Sequence, residues 1–233
     1  LRRGARLDTE RAGAGARVWS ITGIDGVSAD LFARVSELGR GAGLVVAGGL
    51  GSGRSTLLRR VSWSLGVAGV AVGLLAEEAR ELSSALGVVM AGRKPAEVVL
   101  LVDDADKRSD SELAKLDALR QKGATLVMVT TASGAARLPG ATYGIFEVPP
   151  LVGEEAAMLV HRMIPSLSEQ LVRYIVARAG GLPGLMRTIV TQLEHTAVVS
   201  IEDVERQLTE VPVPSGVRME PFEIHRLLDR GLF

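Results

Sequence analysis

The chain has 233 residues, 47% of them hydrophobic, with 27 basic and 27 acidic side chains and no cysteine. That is material for one α/β domain with a smaller satellite; the missing thiols exclude disulfide frameworks, thiolate catalysis and zinc–cysteine sites, and fit a reducing, cytoplasmic compartment. A net charge of zero gives no global electrostatic case for nucleic acid as a partner.

The chain begins at Leu1 without a signal-peptide pattern and reads as a segment of a longer protein. Residues 1–17 are basic, rich in Gly and Ala and without apolar periodicity, so they read as a leader or linker. A short apolar stretch from Val18 runs into the turn residues around Gly26. Ser28 is placed to cap a helix through Gly39, with Leu31, Phe32, Val35 and Leu38 on one face. The apolar run Leu44 to Ala47 is a first strand, followed by a glycine-rich loop and a helix from about Arg54 to Leu65. Trp63 on that helix is expected in the core. A second strand at Gly69 to Leu75 is rich in Val, Ala and Leu, as suits a strand buried on both faces. The apolar run Leu65 to Ala76 falls short of the roughly 18 residues of a membrane span.

A helix at about Glu78 to Ala91 follows, with Glu77-Glu78 as its solvated start, then a third strand, Val98 to Val102, that runs into Asp103-Asp104. Ser109 caps a helix carrying Leu113, Leu116 and Leu119, which Gly123 ends. Strands at Thr125 to Thr130 and Tyr143 to Val148 complete an alternation that predicts a five-stranded parallel sheet with helices on both faces. Pro149-Pro150 marks a change of character. Four helical patterns follow, at Glu154 to Met163, Ser166 to Ala179, Pro183 to His195 and Ser200 to Leu208, with Gly180-Gly181 as a C-cap. The division is 1–17 leader, 18–150 α/β core, 151–210 helical domain, and 211–233 linker plus the start of a further, tetratricopeptide-like helical region.

The stretch Gly48-Gly49-Leu50-Gly51-Ser52-Gly53-Arg54-Ser55-Thr56 is a phosphate cradle. Glycines let backbone N–H groups approach an anion, and the following helix adds its unpaired donors and its dipole. Gly48, Gly53 and Ser55 meet the template G-x-x-x-x-G-K-[ST], and Arg54 stands where it has lysine. Asp103, about 50 residues downstream at a strand end, is where such a fold needs an acid to hold Mg²⁺ opposite the hydroxyl of Ser55. Asp104 could orient or deprotonate an attacking water. Thr130-Thr131 end the fourth strand, where they could sense a γ-phosphate. His161, His195 and His225 are too dispersed for a metal site.

In this order the motifs resemble the STAND class of P-loop NTPases, the NB-ARC and bacterial signalling ATPases related to AAA+ proteins. GGLGSGRST resembles the Walker A loop, VVLLVDDAD the strand ending in two aspartates, TLVMVTTAS the sensor strand, FEVPPLVGEEAAMLV the passage into the helical domain, and GGLPGLMRTIV its Gly-Leu-Pro motif. The resemblance implies a nucleotide-binding set of Gly48, Gly51, Ser52, Gly53, Arg54, Ser55, Thr56, Thr130 and Pro183. It also implies Mg²⁺ on Ser55 and Asp103, with Asp104 as the catalytic base. Ile21 to Asp25 would cover the base of the nucleotide, and Arg187 is either a second sensor or a surface arginine.

Two residues depart from the family pattern. Arg54 is bulkier than lysine and cannot follow its path to the phosphates, and Ala132 stands where the family has arginine. None of the four lysines, Lys94, Lys107, Lys115 and Lys122, is near the loop in sequence. The implied function is an ATP/ADP switch that controls lid closure and self-association or a protein partner, with slow or absent hydrolysis. Two alternatives stand beside it: an AAA+-like ATPase acting on DNA or protein in an oligomer, and a nucleotide-free scaffold.

Overall fold

The computed structural model describes residues 24–75, 82–135, 138, 143–193 and 200–209. The leader, the linker and terminal helix at 211–233, Glu77-Glu78, His195 and His225 lie outside the described residues.

Five parallel strands form one sheet in the order β2-β3-β4-β1-β5, comprising β1 (Gly43–Gly48), β2 (Ala71–Leu75), β3 (Val98–Val102), β4 (Thr125–Thr131) and β5 (Tyr143–Glu147). The helices among them are α1 (Asp25–Ser36), α2 (Arg54–Val67), α3 (Leu82–Met90), α4 (Asp110–Gln121) and the single turn α5 (Ala132–Ala135). The period of two along a strand divides the core. Leu44 and Val46 face Leu31 and Val35 of α1 and Leu57, Leu58, Val61 and Leu65 of α2. Val45 and Ala47 face the opposite layer, with Leu82 of α3 and Leu113 and Leu116 of α4. Both faces of β1 are therefore dry, which accounts for its unbroken apolar run.

The cap of α4 forms as the sequence requires. The Ser109 hydroxyl accepts from the Glu112 N–H, and the Glu112 carboxylate accepts from the Ser109 N–H at 2.9 Å. The start of α1 differs from the sequence expectation. The helix begins at Asp25, and Ser28 is a buried residue within it whose N–H donates to the Ile24 carbonyl. Asp25 in the first turn suits the helix dipole, and burial of Ile24 anchors the chain one turn earlier than a serine cap would.

A second bundle of helices follows: α6 (Gly153–Met163), α7 (Glu169–Arg178), α8 (Pro183–Leu193) and α9 (Ile201–Thr209). Ser168, rather than Ser166, caps α7 through its hydroxyl and the Leu171 N–H. Gly180 and Gly181 take φ of 57° and 71° and end α7, where a side chain would be strained. The bundle has its own core, built on Val160, Leu171, Ile175, Met186, Val190 and Val204, and Ile24 from the start of α1 joins it. No described helix is long and apolar enough to cross a membrane.

Candidate functional site

The loop between β1 and α2 is shaped by two left-handed glycines, Gly51 at φ 81° and Gly53 at φ 85°, with Gly53 as the residue before α2. A β-carbon on Gly48 would come within 2.6 Å of the Ser52 hydroxyl and 3.3 Å of the Arg54 side chain, so that glycine makes room for both. Arg54 is 8% exposed and Ser52 3% exposed. Among the described residues, neither Arg54 Nη1 nor Ser52 Oγ has a hydrogen-bond partner. A buried donor left unmade costs about 1–3 kcal/mol.

Across the loop, the Ser55 hydroxyl donates to Asp103 Oδ1 at 3.0 Å, and Asp103 is 4% exposed. The next residue, Asp104, is the one non-glycine at positive φ (47°) among the described residues, and its carboxylate pairs with Lys107 Nζ at 3.0 Å. Asp106 accepts from the Thr131 hydroxyl at 2.9 Å. No group of three or more His, Asp or Glu forms a metal cluster among the described residues. Ser55 and Asp103 nonetheless offer the two hard oxygens that suffice for Mg²⁺, which takes its remaining ligands from phosphates and water.

The loop borders a cleft of about 1030 Å³ between sheet and helical bundle. Five basic side chains line it, Arg54, Arg59, Arg60, Lys107 and Arg187, against two acidic ones, Asp104 and Asp106. In a chain without net charge, that surplus marks the cleft for an anion. The bundle meets the loop directly. The Gly184 N–H in the first turn of α8 donates to the Gly51 carbonyl at 2.7 Å. A β-carbon on Gly184 would stand 2.7 Å from Gly51 Cα, and Pro183 Cγ lies 4.0 Å from the position of a β-carbon on Gly53.

The family model described as Novel STAND NTPase 5 matches residues 21–137, just over half of the chain. This chain belongs to that family. Its fold is similar to domain III of the replication initiation protein DnaA from Thermotoga maritima, with a TM-score of 0.56 at 15% identity, covering 82% of this chain and 93% of that one. AMPPCP-bound DnaA from Aquifex aeolicus gives a TM-score of 0.54 at 11% identity, covering 79% of this chain and 65% of that one. The replication initiator DnaA bound to AMPPCP and single-stranded DNA gives 0.51 at 13%, covering 79% and 63%. This chain thus spans just under two thirds of the latter two. At such identities the likeness is one of fold. No curated protein matches the sequence.

In this STAND NTPase the cleft gathers Gly51, Gly53, Arg54, Ser55, Thr56, Asp104, Pro183 and Arg187 from the residues singled out in the sequence. Gly48, Ser52 and Asp103 are not part of that lining, and Ser52 and Asp103 are buried. Thr130 is fully buried, and its neighbour Thr131 lines the cleft instead. Alternation decides this: Thr130 shares the face of Leu126 and Met128, and Thr131 that of Val127 and Val129 toward α2. Trp63 is not in the core. It is 67% exposed and lines the cleft, because α2 turns Leu57, Leu58, Val61 and Leu65 to the sheet and Trp63 lies about 200° around from Val61.

Sequence reasoning missed four further charged members. Lys107 arrives from the turn after β3, although it is remote from the loop in sequence, and Asp106 comes from the same turn. Arg59 and Arg60 were legible as the i+3 and i+4 neighbours of Thr56 on one helix face. Ile24, within the segment expected to cover the base, does line the cleft.

Proposed function

We propose that this STAND NTPase is an adenine-nucleotide switch. Nucleotide in the cleft fixes the helical bundle as a lid on the phosphate loop, exchange of ADP for ATP loosens the lid and permits self-association, and hydrolysis is slow or absent. The observation that carries this reading is the bond from Gly184 N–H to the Gly51 carbonyl at 2.7 Å. Phosphate and lid would act on the same short piece of backbone, so a ligand that favours one loop geometry also favours one lid position. Such a switch needs differential affinity for two states, and this contact is where the difference would arise.

In this reading the backbone from Gly51 to Ser55 holds the phosphates, with Gly48, Ser52 and Thr56 shaping the cradle. Ser55 and Asp103 hold Mg²⁺, which when bound neutralises phosphate charge. The unpaired Nη1 of Arg54 is completed by a phosphate oxygen, a charge-assisted contact. Asp104 is the candidate base, and its pairing with Lys107 keeps it occupied. A guanidinium in place of lysine and an engaged base both slow turnover; a loss of about 4 kcal/mol of transition-state stabilisation is a rate loss of about a thousandfold. Thr131 senses the γ-phosphate rather than Thr130, Pro183 packs by the ribose, and Arg187 serves as second sensor.

The test is to denature freshly purified protein, identify released nucleotide by chromatography, and follow the melting temperature with Mg-ADP and Mg-ATP. Ligand at about 100 times its dissociation constant adds about 2.7 kcal/mol, a shift of several degrees. Gly184→Ala, which forces α8 away from the loop, is expected to diminish that shift. No bound nucleotide and no shift would overturn the reading in favour of a scaffold. One similar fold was solved with single-stranded DNA, so the assay carries a single-stranded DNA arm; multiple turnover stimulated by DNA would favour the oligomeric ATPase.

A further inference from the structure

Tryptophan is seldom left mostly in water, because its indole is the largest apolar surface a side chain offers. Trp63 is 67% exposed, and the part of the molecule it faces is the cleft, which it lines with Ile24, Leu159 and Met163. These four are an apolar set within the lining, which also holds Gly51, Arg54 and Ser55 of the phosphate loop and the cation Lys107.

Helix geometry connects the indole to the phosphate loop. Thr56, Arg59, Arg60 and Trp63 recur at i, i+3, i+4 and i+7, so they occupy one stripe of α2. All four line the cleft. Trp63 stands about 12 Å along the helix axis from Ser55, at 1.5 Å per residue. The stripe therefore reads outward from the phosphate loop as hydroxyl, two guanidiniums, indole. Arg60 is held by an ion pair with Asp25 at the start of α1. One turn beyond, Val67 is 69% exposed but does not line the cleft, so the cleft stops at the indole.

We infer that Trp63 is the stacking surface for the base of the bound nucleotide, so that the cleft selects a base-bearing polyphosphate over a bare one. This rests on the nucleotide reading above and adds to it the residue that distinguishes the ligand's base. Every nucleobase offers a π-face, and stacking on an aromatic side chain changes affinity by roughly 5- to 150-fold. Arg59 and Arg60 then flank the sugar and the α-phosphate.

The chain has two tryptophans, so Trp19→Phe leaves Trp63 as the sole reporter. Its emission and the melting temperature are followed during titration with Mg-ADP and, separately, with Mg-tripolyphosphate. The expected result is that ADP quenches the emission and raises the melting temperature, whereas tripolyphosphate raises the melting temperature without quenching. In the otherwise unchanged chain, Trp63→Ala should weaken ADP on the order of tenfold and leave tripolyphosphate unchanged. Exposed as it is, Trp63 contributes little packing, so this variant folds. ADP that binds without quenching, with equal affinity for Trp63→Ala, overturns the stacking role and leaves the nucleotide reading standing. If Trp63→Ala changes self-association but not ADP affinity, the indole is a protein contact and the inference fails. Silence of both ligands in both readouts overturns the inference together with the nucleotide reading.

Discussion

The two ends of the sheet treat buried polar groups in opposite ways. At the amino end, Asp117 Oδ1 accepts from Arg120 Nε at 2.8 Å and from the Tyr143 hydroxyl at 2.7 Å. Arg120 Nη1 donates on to the Gly41 carbonyl at 2.8 Å, and the guanidinium lies 5.2 Å from the Tyr143 ring centre. Both of these charges have partners supplied by the chain. At the carboxyl end, Ser52 Oγ, Arg54 Nη1 and Thr130 Oγ1 are buried without one among the described residues. Of these three, Arg54 borders the cleft, and its unpaired nitrogen is the group that the proposed nucleotide would complete.

Breaking the closed end should cost most. Asp117→Ala strands Arg120 and the Tyr143 phenol, and removal of one partner from a buried pair costs about 3 kcal/mol, which lowers the melting temperature by roughly 6–12 °C in calorimetry. Gly43→Ala acts on the same corner by crowding, because a β-carbon would stand 2.2 Å from the Tyr143 ring. Overpacking of this kind costs about 2 kcal/mol, and a melting curve at neutral pH would record it. The open end should respond with the opposite sign. Arg54→Met removes a buried unpaired donor, so the ligand-free protein should gain about 1 kcal/mol, while the thermal shift with Mg-ADP falls sharply. A drop in ligand-free stability on that substitution would erase the contrast.

The smallest effect is in pH. Burial alone would raise the Asp117 pKa, but its bonds from Arg120, Tyr143 and Gln121 outweigh it and hold the carboxyl below its ordinary value. Burial, followed by the bond to Asp117, pushes the Tyr143 phenol up. Asp117 contributes in full above its unfolded value of about 3.9 and loses its share as the pH falls through the lower folded one. Tyr143 contributes in full below about pH 10 and loses its share above that. The melting-temperature gap between the native chain and Asp117→Ala should be widest between those limits and narrow on both sides.

Much of the carboxyl end could be read from the chain. The run Leu44 to Ala47, the glycines after it and the pair Asp103-Asp104 are local patterns with local causes, and so is the Ser109–Glu112 cap. What escaped depends on facing. Thr130 and Thr131 differ only by the pleat, and Trp63 differs from Leu65 only by rotation about α2, so an error of one residue in phase exchanges core for cleft. Lys107 and Gly184 escaped for another reason. Each reaches the loop through tertiary packing, Lys107 across the adjacent strands β3, β4 and β1 and Gly184 from a separate bundle, and no spacing in sequence encodes either approach. The amino-end network was missed altogether, since Asp117, Arg120 and Tyr143 meet only once α4 is docked on the sheet.

The contact between Gly51 and Gly184 also constrains how this chain can change over generations. A side chain on Gly184 would press into Gly51 from 2.7 Å, and one on Gly51 would find the α8 backbone at 3.4 Å. Neither position is free to drift by itself. Relatives that acquire a side chain at one should show a compensating retreat of the other segment, so the two columns should vary together although the residues lie on different bodies of the fold. The Gly-Leu-Pro-Gly turn would then be inherited as a unit with the phosphate loop, and a graft of the helical bundle onto another P-loop core would carry the turn only where its counterpart glycine came along.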